Sequence, residues 1–304
     1  MMQKQSFEKA VDNDEEEYRT ADFVTPSPVR QTYFDVEQVD LDAYDHVILN
    51  LSGKDSIAAL LKLIEDGVDL ARCEIWHHLV DGIGGDIFMD WPCMDDYMVK
   101  FAQAFNLPLY FSSLEHGFKG EMLKNNSVAH DHLIETPDGM LRLGRTGKPG
   151  TRLKYPQKSK SLSVRWCSAV LKVDIGRRAL TNQDRFLGKK VLYVTGERRS
   201  EGGGRKYYLL CIFSSPATWA TLHKYWPERV HSVQHYEHQL DCTISRNRID
   251  VVDVGAQSNS WIIEDKEALV QSTRKEYELP IFTPKGQKWK LPQGAFSNEE
   301  GGAS

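Results

Sequence analysis

Val47-Ile48-Leu49-Asn50-Leu51-Ser52-Gly53-Lys54-Asp55-Ser56, continued by Ile57-Ala58-Ala59-Leu60-Leu61-Lys62-Leu63-Ile64, is the stretch that decides the fold. Val47-Ile48-Leu49 is a short apolar run of the kind a buried strand carries, and it stops at the polar turn Ser52 to Ser56. Leu60, Leu61 and Ile64 then recur at helical spacing, and Gly67 supplies a stop. A strand that passes through a short turn into a helix sets the helix's unpaired N–H groups and positive dipole end just beyond the strand, where a phosphate is well received. Gly53 lets the backbone approach an anion closely, Lys54 adds a cation, Asp55 can hold a magnesium ion or cap the helix, and Ser56 can donate a hydroxyl. By spacing alone, a plain N-cap made by Asp55 or Ser56 accounts for the same residues equally well.

Outward from this stretch the pattern alternates. A second strand is expected over Glu74 to Val80, followed by a Gly-rich turn from Asp81 to Asp86. Met94, Tyr97, Met98, Phe101 and Phe105 fall on one face of an amphipathic helix, a core stripe. Leu107 to Phe111 reads as a third strand, and Glu115 to Lys160 shows no clear period. A helix is predicted from about Leu162 to Leu180, then a turn at Gly188 and a strand at Val191-Leu192-Tyr193-Val194. Strand, helix, strand, helix in this order predicts an α/β fold, a mainly parallel sheet with helices on both faces. In such sheets ligands lie beyond the carboxyl ends of the strands. The expected division is a mobile acidic arm over 1–30, a nucleotide-binding domain over 31–242, and a partly disordered extension over 243–304 that docks by aromatic contacts such as Trp289.

Composition narrows the function classes. With 304 residues, 40% hydrophobic and 27% charged side chains, the chain has the make-up of an ordinary globular protein that buries its own core. A formal net charge of -5 argues against a duplex-DNA binder working by bulk electrostatics, so nucleic acid is not favoured as a partner, although local basic stretches can hold a small anion. Five widely spaced cysteines without a CxxC pair suit a reducing compartment. No signal-peptide pattern and no apolar run near ~18 residues is present, so the expectation is a cytoplasmic protein with no membrane partner.

Leu51-Ser52-Gly53-Lys54-Asp55-Ser56 resembles the SGGKDS loop of the PP-loop ATP pyrophosphatases and phosphoadenosine phosphosulfate reductases. Further segments occur in that family's order: Trp76-His77-His78-Leu79-Val80-Asp81-Gly82, then Arg165-Trp166-Cys167-Ser168 with Lys172, then Val194-Thr195-Gly196-Glu197-Arg198, then Cys211-Ile212-Phe213. Together they look like the phosphoadenosine phosphosulfate reductase-like proteins common in phage and bacterial genomes, over roughly residues 45 to 240. The resemblance implies an adenine nucleotide α-hydrolase-like sheet that binds ATP or phosphoadenosine phosphosulfate. Ser52, Gly53, Lys54, Asp55 and Ser56 would grip the phosphates, and Asp55 would take magnesium. Thr195, Gly196, Glu197 and Arg198 would lie at a neighbouring strand end, with the planar Arg198 fork neutralising the far end of the anion. Lys54, Arg198 and Cys167 are the candidate catalytic residues. The reading of Cys167 as a nucleophile stands beside that of a buried helix cysteine.

The sequence also departs from the family. Leu51 stands where the loop usually begins with Ser, and Ser52 stands where it usually has Gly, so one hydroxyl and one freely turning residue are lost. Between Arg198 and Cys211 the chain is shorter than its look-alikes, and Tyr208 occupies the place of a cysteine, leaving Cys167 and Cys211 where an iron–sulfur cluster takes four thiolates. No intact cluster is expected on that ground. The remaining readings are a nucleotide-binding or interaction protein without turnover, and sulfur transfer to nucleic acid. Neither the acceptor nor a reductant can be read from the residues. His77 and His78 are strand neighbours and point to opposite faces. His231, His235 and His238 carry helical spacing without a third-ligand signature, and read as surface histidines.

Overall fold

A computed structural model describes residues 39–159, 161–196 and 209–288. Its centre is β1, His46–Asn50, in which Val47, Ile48 and Leu49 are fully buried. A strand this apolar on both faces must lie inside a sheet covered on both sides, and it does. β1 pairs in parallel with β2, Cys73–His78, on one side and with β6, Val191–Thr195, on the other. β2 pairs in parallel with β3, Leu109–Leu114. Beyond β3 lies an antiparallel hairpin, β4 (His132–Thr136) and β5 (Gly139–Leu143), giving the order β5-β4-β3-β2-β1-β6.

The expected strands and helices around β1 are present, with shifted ends. The strand expected to reach Val80 stops at His78, and the one expected over 107–111 runs from Leu109 to Leu114. The unpatterned stretch 115–160 holds the β4–β5 hairpin, whose outer strand is mostly exposed or half-buried and so carries no clean alternation.

α1, Lys54–Glu65, and α2, Met94–Phe105, cover one face of the sheet. Leu60, Met98, Phe101 and Ala102 pack there with Val47, Leu49 and Ile75. α2 has the bounds its apolar stripe predicts. The side chain of the stripe's Tyr97 also meets the chain's later part, stacking edge-on against Tyr277 with ring centroids 4.8 Å apart.

α3, Gly117–Met122, follows β3. The single helix predicted over 162–180 is three pieces: α4 (Trp166–Ser168), a π-helical turn (Ala169–Val173) and α5 (Asp174–Thr181). The π turn carries Lys172, which is buried. α5 covers the second face, where Ala179 and Phe186 pack on Ile48 and Trp76.

A third core begins where the strands end. Val80, just past β2, and Leu114, the last residue of β3, join Phe118, Tyr155, Trp166 and Leu171. Over them pack α6 (Pro216–Tyr225), α7 (Pro227–Gln239) and α8 (Val251–Ala256). Ile244 and Val251 are buried in this core beside Trp219 and Val233, so residues just past 242 are packed with the body. A last short helix, α9, spans Lys266–Gln271. Trp289, the arm over 1–30, Glu197, Arg198 and Tyr208 lie outside the described residues.

Candidate functional site

The chain runs β1, β2, β3 outward in one direction, then returns to the opposite side of β1 with β6. The order therefore reverses between β1 and β6. In open α/β sheets that reversal opens a crevice at the carboxyl ends of the two strands, where ligands bind. Asn50 and Thr195 are register partners at the end of these strands. The turn into α1 and Gly196 consequently leave the sheet side by side.

Ser56 organises the turn. Its side chain is buried, and its hydroxyl oxygen accepts from the N–H of Ser52 (3.0 Å) and of Gly53 (3.2 Å). The same hydroxyl donates to the Gly53 carbonyl at 2.8 Å. Gly53 is the N-cap of α1 in an extended conformation, so the helix start needs no capping side chain. Of the two N-cap readings, the geometry resembles neither a Ser nor an Asp cap: Ser56 reaches back from the third helical position, as the later member of a capping box does. Lys54 is exposed at the first helical position, and Asp55 is half-buried beside it.

Gly196 seals the other wall. A Cβ there would stand 2.4 Å from the Ser56 nitrogen and 2.9 Å from the Asp55 carbonyl carbon, both backbone atoms. Close approach to α1, not an unusual φ, is what requires glycine here. The structure thus brings Ser52, Gly53, Lys54, Asp55 and Ser56 together with Thr195 and Gly196.

Leu51, the departure from the usual loop, is buried and continues the sheet: its N–H donates to the Trp76 carbonyl at 2.9 Å. Its own carbonyl accepts from Nδ1 of His77 at 2.7 Å. Burial lowers the His77 pKa to about 4, so the ring is neutral, protonated on Nδ1, with Nε2 buried and without a hydrogen-bond partner among the described residues. His78, on the other face, meets Ser112 Oγ at 2.7 Å. Both histidines are interior groups.

Next to the crevice, the loop after β2 is wound around one carboxylate. Asp81 accepts from the N–H groups of Phe88 (3.0 Å), Met89 (2.9 Å) and Asp90 (3.1 Å). Arg229 of α7 clamps the same loop from outside, donating to the carbonyls of Ile87, Phe88 and Asp90 at 2.6 to 2.9 Å. Asp90 itself is buried, and its pKa is pushed up to about 8 by burial, reinforced by Asp81 and Asp95. Its folded-state pKa lies above the unfolded value, so the fold binds the extra proton and loses stability as pH rises from about 4 to about 8. Asp90→Asn keeps the acceptor for the Trp91 N–H and removes the charge. Its melting temperature relative to the parent should therefore climb by several degrees between pH 5 and pH 8.5. A constant difference across that range, followed by calorimetry, would contradict a buried protonated Asp90.

Cys167 is buried in the helical core. Burial, and then the neighbouring Cys211 thiol, push its pKa up to about 12 against the opposing pull of Lys172. It is therefore a neutral thiol in this state, without the lowered pKa of an activated nucleophile. The other three cysteines lie elsewhere: Cys73 opens β2, Cys93 precedes α2, and Cys242 donates to the Tyr155 carbonyl. Two thiols in one place do not fit the four-thiolate demand of an iron–sulfur cluster. Among the described residues no group of three or more His, Cys, Asp or Glu side chains is arranged to hold a metal ion. No helix among them is long and apolar enough to cross a membrane.

Residue reading overlooked Asp81, Asp90 and Arg229 as a unit. Their one signal was the Asp81-Gly82 turn, because a carboxylate that collects N–H groups seven to nine residues later has no fixed spacing.

The fold and the crevice define an open α/β protein whose glycine-lined, helix-initiating turn lies at the topological switch point. No protein-family model, curated protein or solved structure matches the chain.

Proposed function

We propose that the chain is a phosphoadenosine phosphosulfate reductase-like member of the PP-loop proteins, binding an adenylyl nucleotide at the Ser52–Ser56 turn and acting at its phosphate or sulfate. The observation that carries this reading is the pairing of the α1 N-terminus with Gly196 across the β1–β6 crevice. A switch-point crevice ending in a helix N-terminus receives an anion whatever its remaining chemistry. Lys54 at the first helical position supplies a cation at the crevice mouth. Magnesium would be held by Asp55 together with the nucleotide's own phosphates, the arrangement such ions favour, and would supply charge neutralisation there. The protein's part in catalysis is then positioning and charge stabilisation. Arg198, outside the described residues, is assigned the far end of the anion by the resemblance alone.

The neutral, buried Cys167 favours phosphate chemistry over a thiol-based sulfur transfer. A nucleotide-binding protein without turnover remains the second reading, favoured by the Ser56 hydroxyl, which already takes two loop N–H groups.

Thermal unfolding with magnesium and ATP, or with phosphoadenosine phosphosulfate, tests the site. A nucleotide at 100 times its dissociation constant should add ~2.7 kcal/mol, several degrees of melting temperature for a protein of this size. Lys54→Ala should remove that shift while leaving the unliganded melting temperature nearly unchanged, since Lys54 is exposed. No shift with either nucleotide would sink the assignment. A shift without release of pyrophosphate or nucleoside bisphosphate would select the second reading.

A further inference from the structure

α6 and α7 meet at a tight corner. α6 ends at Tyr225, α7 starts at Pro227, and Trp226 between them is buried, its N–H donating to the Leu222 carbonyl at 2.7 Å. Proline suits the start of α7, since its ring fixes φ and it lacks the N–H that a helix start leaves unpaired. On either side of the corner Leu222 and Val230 are buried in the helical core. The residues that follow them, His223 in the last turn of α6 and His231 in the second turn of α7, are therefore carried on anchored helices. His223 is half-buried and His231 exposed.

The Nε2 atoms of the two rings stand 3.2 Å apart. Among the described residues neither ring has another hydrogen-bond or ion-pair partner. Two imidazoles on one tetrahedral zinc ion, each at ~2.0–2.1 Å, hold their nitrogens about 3.3 Å apart. The ring centroids are 5.1 Å apart, with the planes at 69°. Rings aimed straight at each other through Nε2 would stand farther apart, so at least one Nε2 axis is turned off the line between the nitrogens, as convergence on a shared ion requires. A hydrogen bond between the rings uses one lone pair. A metal ion uses both and leaves the Nδ1–H groups to water.

Spacing along α7 groups His231 with His235 and His238, but the fold gives each a different neighbour. The His235 ring packs edge-on against Tyr236, with centroids 5.4 Å apart, and His238 meets Asp250 at 2.9 Å. The partner of His231 comes instead from α6. Local charge favours a cation at this pair. His223 lies at the carboxyl end of α6, where the helix dipole is negative, and Glu228 is exposed one turn before His231. The neighbouring cations are engaged elsewhere: Lys224 extends over the Tyr225 ring, 5.2 Å from its centroid, and Arg229 is bound to the carbonyls of Ile87, Phe88 and Asp90.

We propose that His223 and His231 form a two-imidazole chelate for a late divalent transition-metal ion, copper(II), nickel or zinc, with water in the remaining positions. Imidazole nitrogen suits these ions, and their general order of affinity puts copper(II) first, whereas magnesium and calcium prefer oxygen. Two protein ligands agree with the lack, among the described residues, of any group of three or more side chains arranged for a metal. The bound ion staples α6 to α7 across the Trp226 corner, and its open positions leave it accessible to a further ligand. This goes beyond the nucleotide reading and does not need it to hold.

Calorimetric titration of the full chain, free of any histidine tag, with copper(II), nickel and zinc chlorides tests the proposal. The expected result is one ion per chain with copper(II) the tightest, and nitrogen hyperfine splitting in the electron paramagnetic resonance spectrum of the copper form. His223→Ala and His231→Ala should each weaken binding at least about tenfold, the smallest loss seen when even a supporting group of a metal site is removed. His235→Ala, an exposed histidine of the same helix, should bind as the parent does. Saturating zinc should raise the melting temperature of the parent and of His235→Ala by several degrees, and that of the other two variants much less. Circular dichroism should be the same for all four proteins, because the pair lies at the surface. Lys54→Ala should bind the metal as the parent does, so a failed nucleotide shift and a failed metal site give different patterns. No copper binding at micromolar concentrations, or binding that survives both His223→Ala and His231→Ala, overturns the proposal. So does a loss in His235→Ala as large as in those two, which would spread the metal over surface histidines in general.

Discussion

Gly196→Ala is expected to cost about 2 kcal/mol and Gly196→Val about 3 kcal/mol or more, and both should abolish any nucleotide-induced stabilisation. The added Cβ meets the backbone nitrogen of Ser56 at 2.4 Å and the backbone carbon of Asp55 at 2.9 Å. A clash with the end of a flexible side chain is relieved by a rotamer change, but here both partners are main-chain atoms of the α1 N-terminus. The helix start must move. When it does, the Ser56 hydroxyl loses its alignment with the N–H groups of Ser52 and Gly53, which it now holds at 3.0 and 3.2 Å. Urea unfolding measures the first effect and ligand-dependent melting the second. An alanine variant as stable as the parent would show that β6 and α1 are not in the close contact described.

Asp81→Ala should be the more damaging change to the fold, on the order of 4 kcal/mol, from a total that is ~5–15 kcal/mol for ordinary proteins. Three N–H groups in the part-buried Phe88–Asp90 turn share this one carboxylate. Water can reach a loosened loop, but only after Phe88 and Met89 leave the core they anchor. The loop also presses on the start of α3: a Cβ on Gly117 would come within 2.2 Å of the Asp81 carbonyl carbon. Hydrogen exchange should locate the damage, with protection lost first at Phe88, Met89 and Asp90. Asp81→Asn retains one acceptor oxygen and should cost about half as much. Equal losses for the two variants would mean that the carboxylate's charge, drawn toward Arg229, matters more than its hydrogen bonds.

How much was legible in the residues depended on how local the signal was. β1, the turn and α1 were readable because an apolar run, a glycine and a 3.6-residue period follow one another within twenty residues. The α2 stripe was readable for the same reason, down to its bounds Met94–Phe105. The β4–β5 hairpin was not, since an outer strand whose residues alternate weakly leaves no period to detect. The break of the 162–180 helix into a π turn escaped as well, because nothing in Ala169-Val170-Leu171-Lys172-Val173 forbids an α-helix.

The sequence by itself determined the class of fold and the position of the turn, because strand and helix periodicity and a helix-starting glycine act over a few neighbouring residues. Only the tertiary structure decided that β6 lies on the free side of β1, turning that turn into the wall of a crevice with Gly196 opposite. It also decided that Cys167 is a buried neutral thiol and that Asp81 closes a loop. Strand order, burial and the pairing of distant charges depend on contacts between residues tens of positions apart, and such contacts carry no spacing that a chain read in order can reveal.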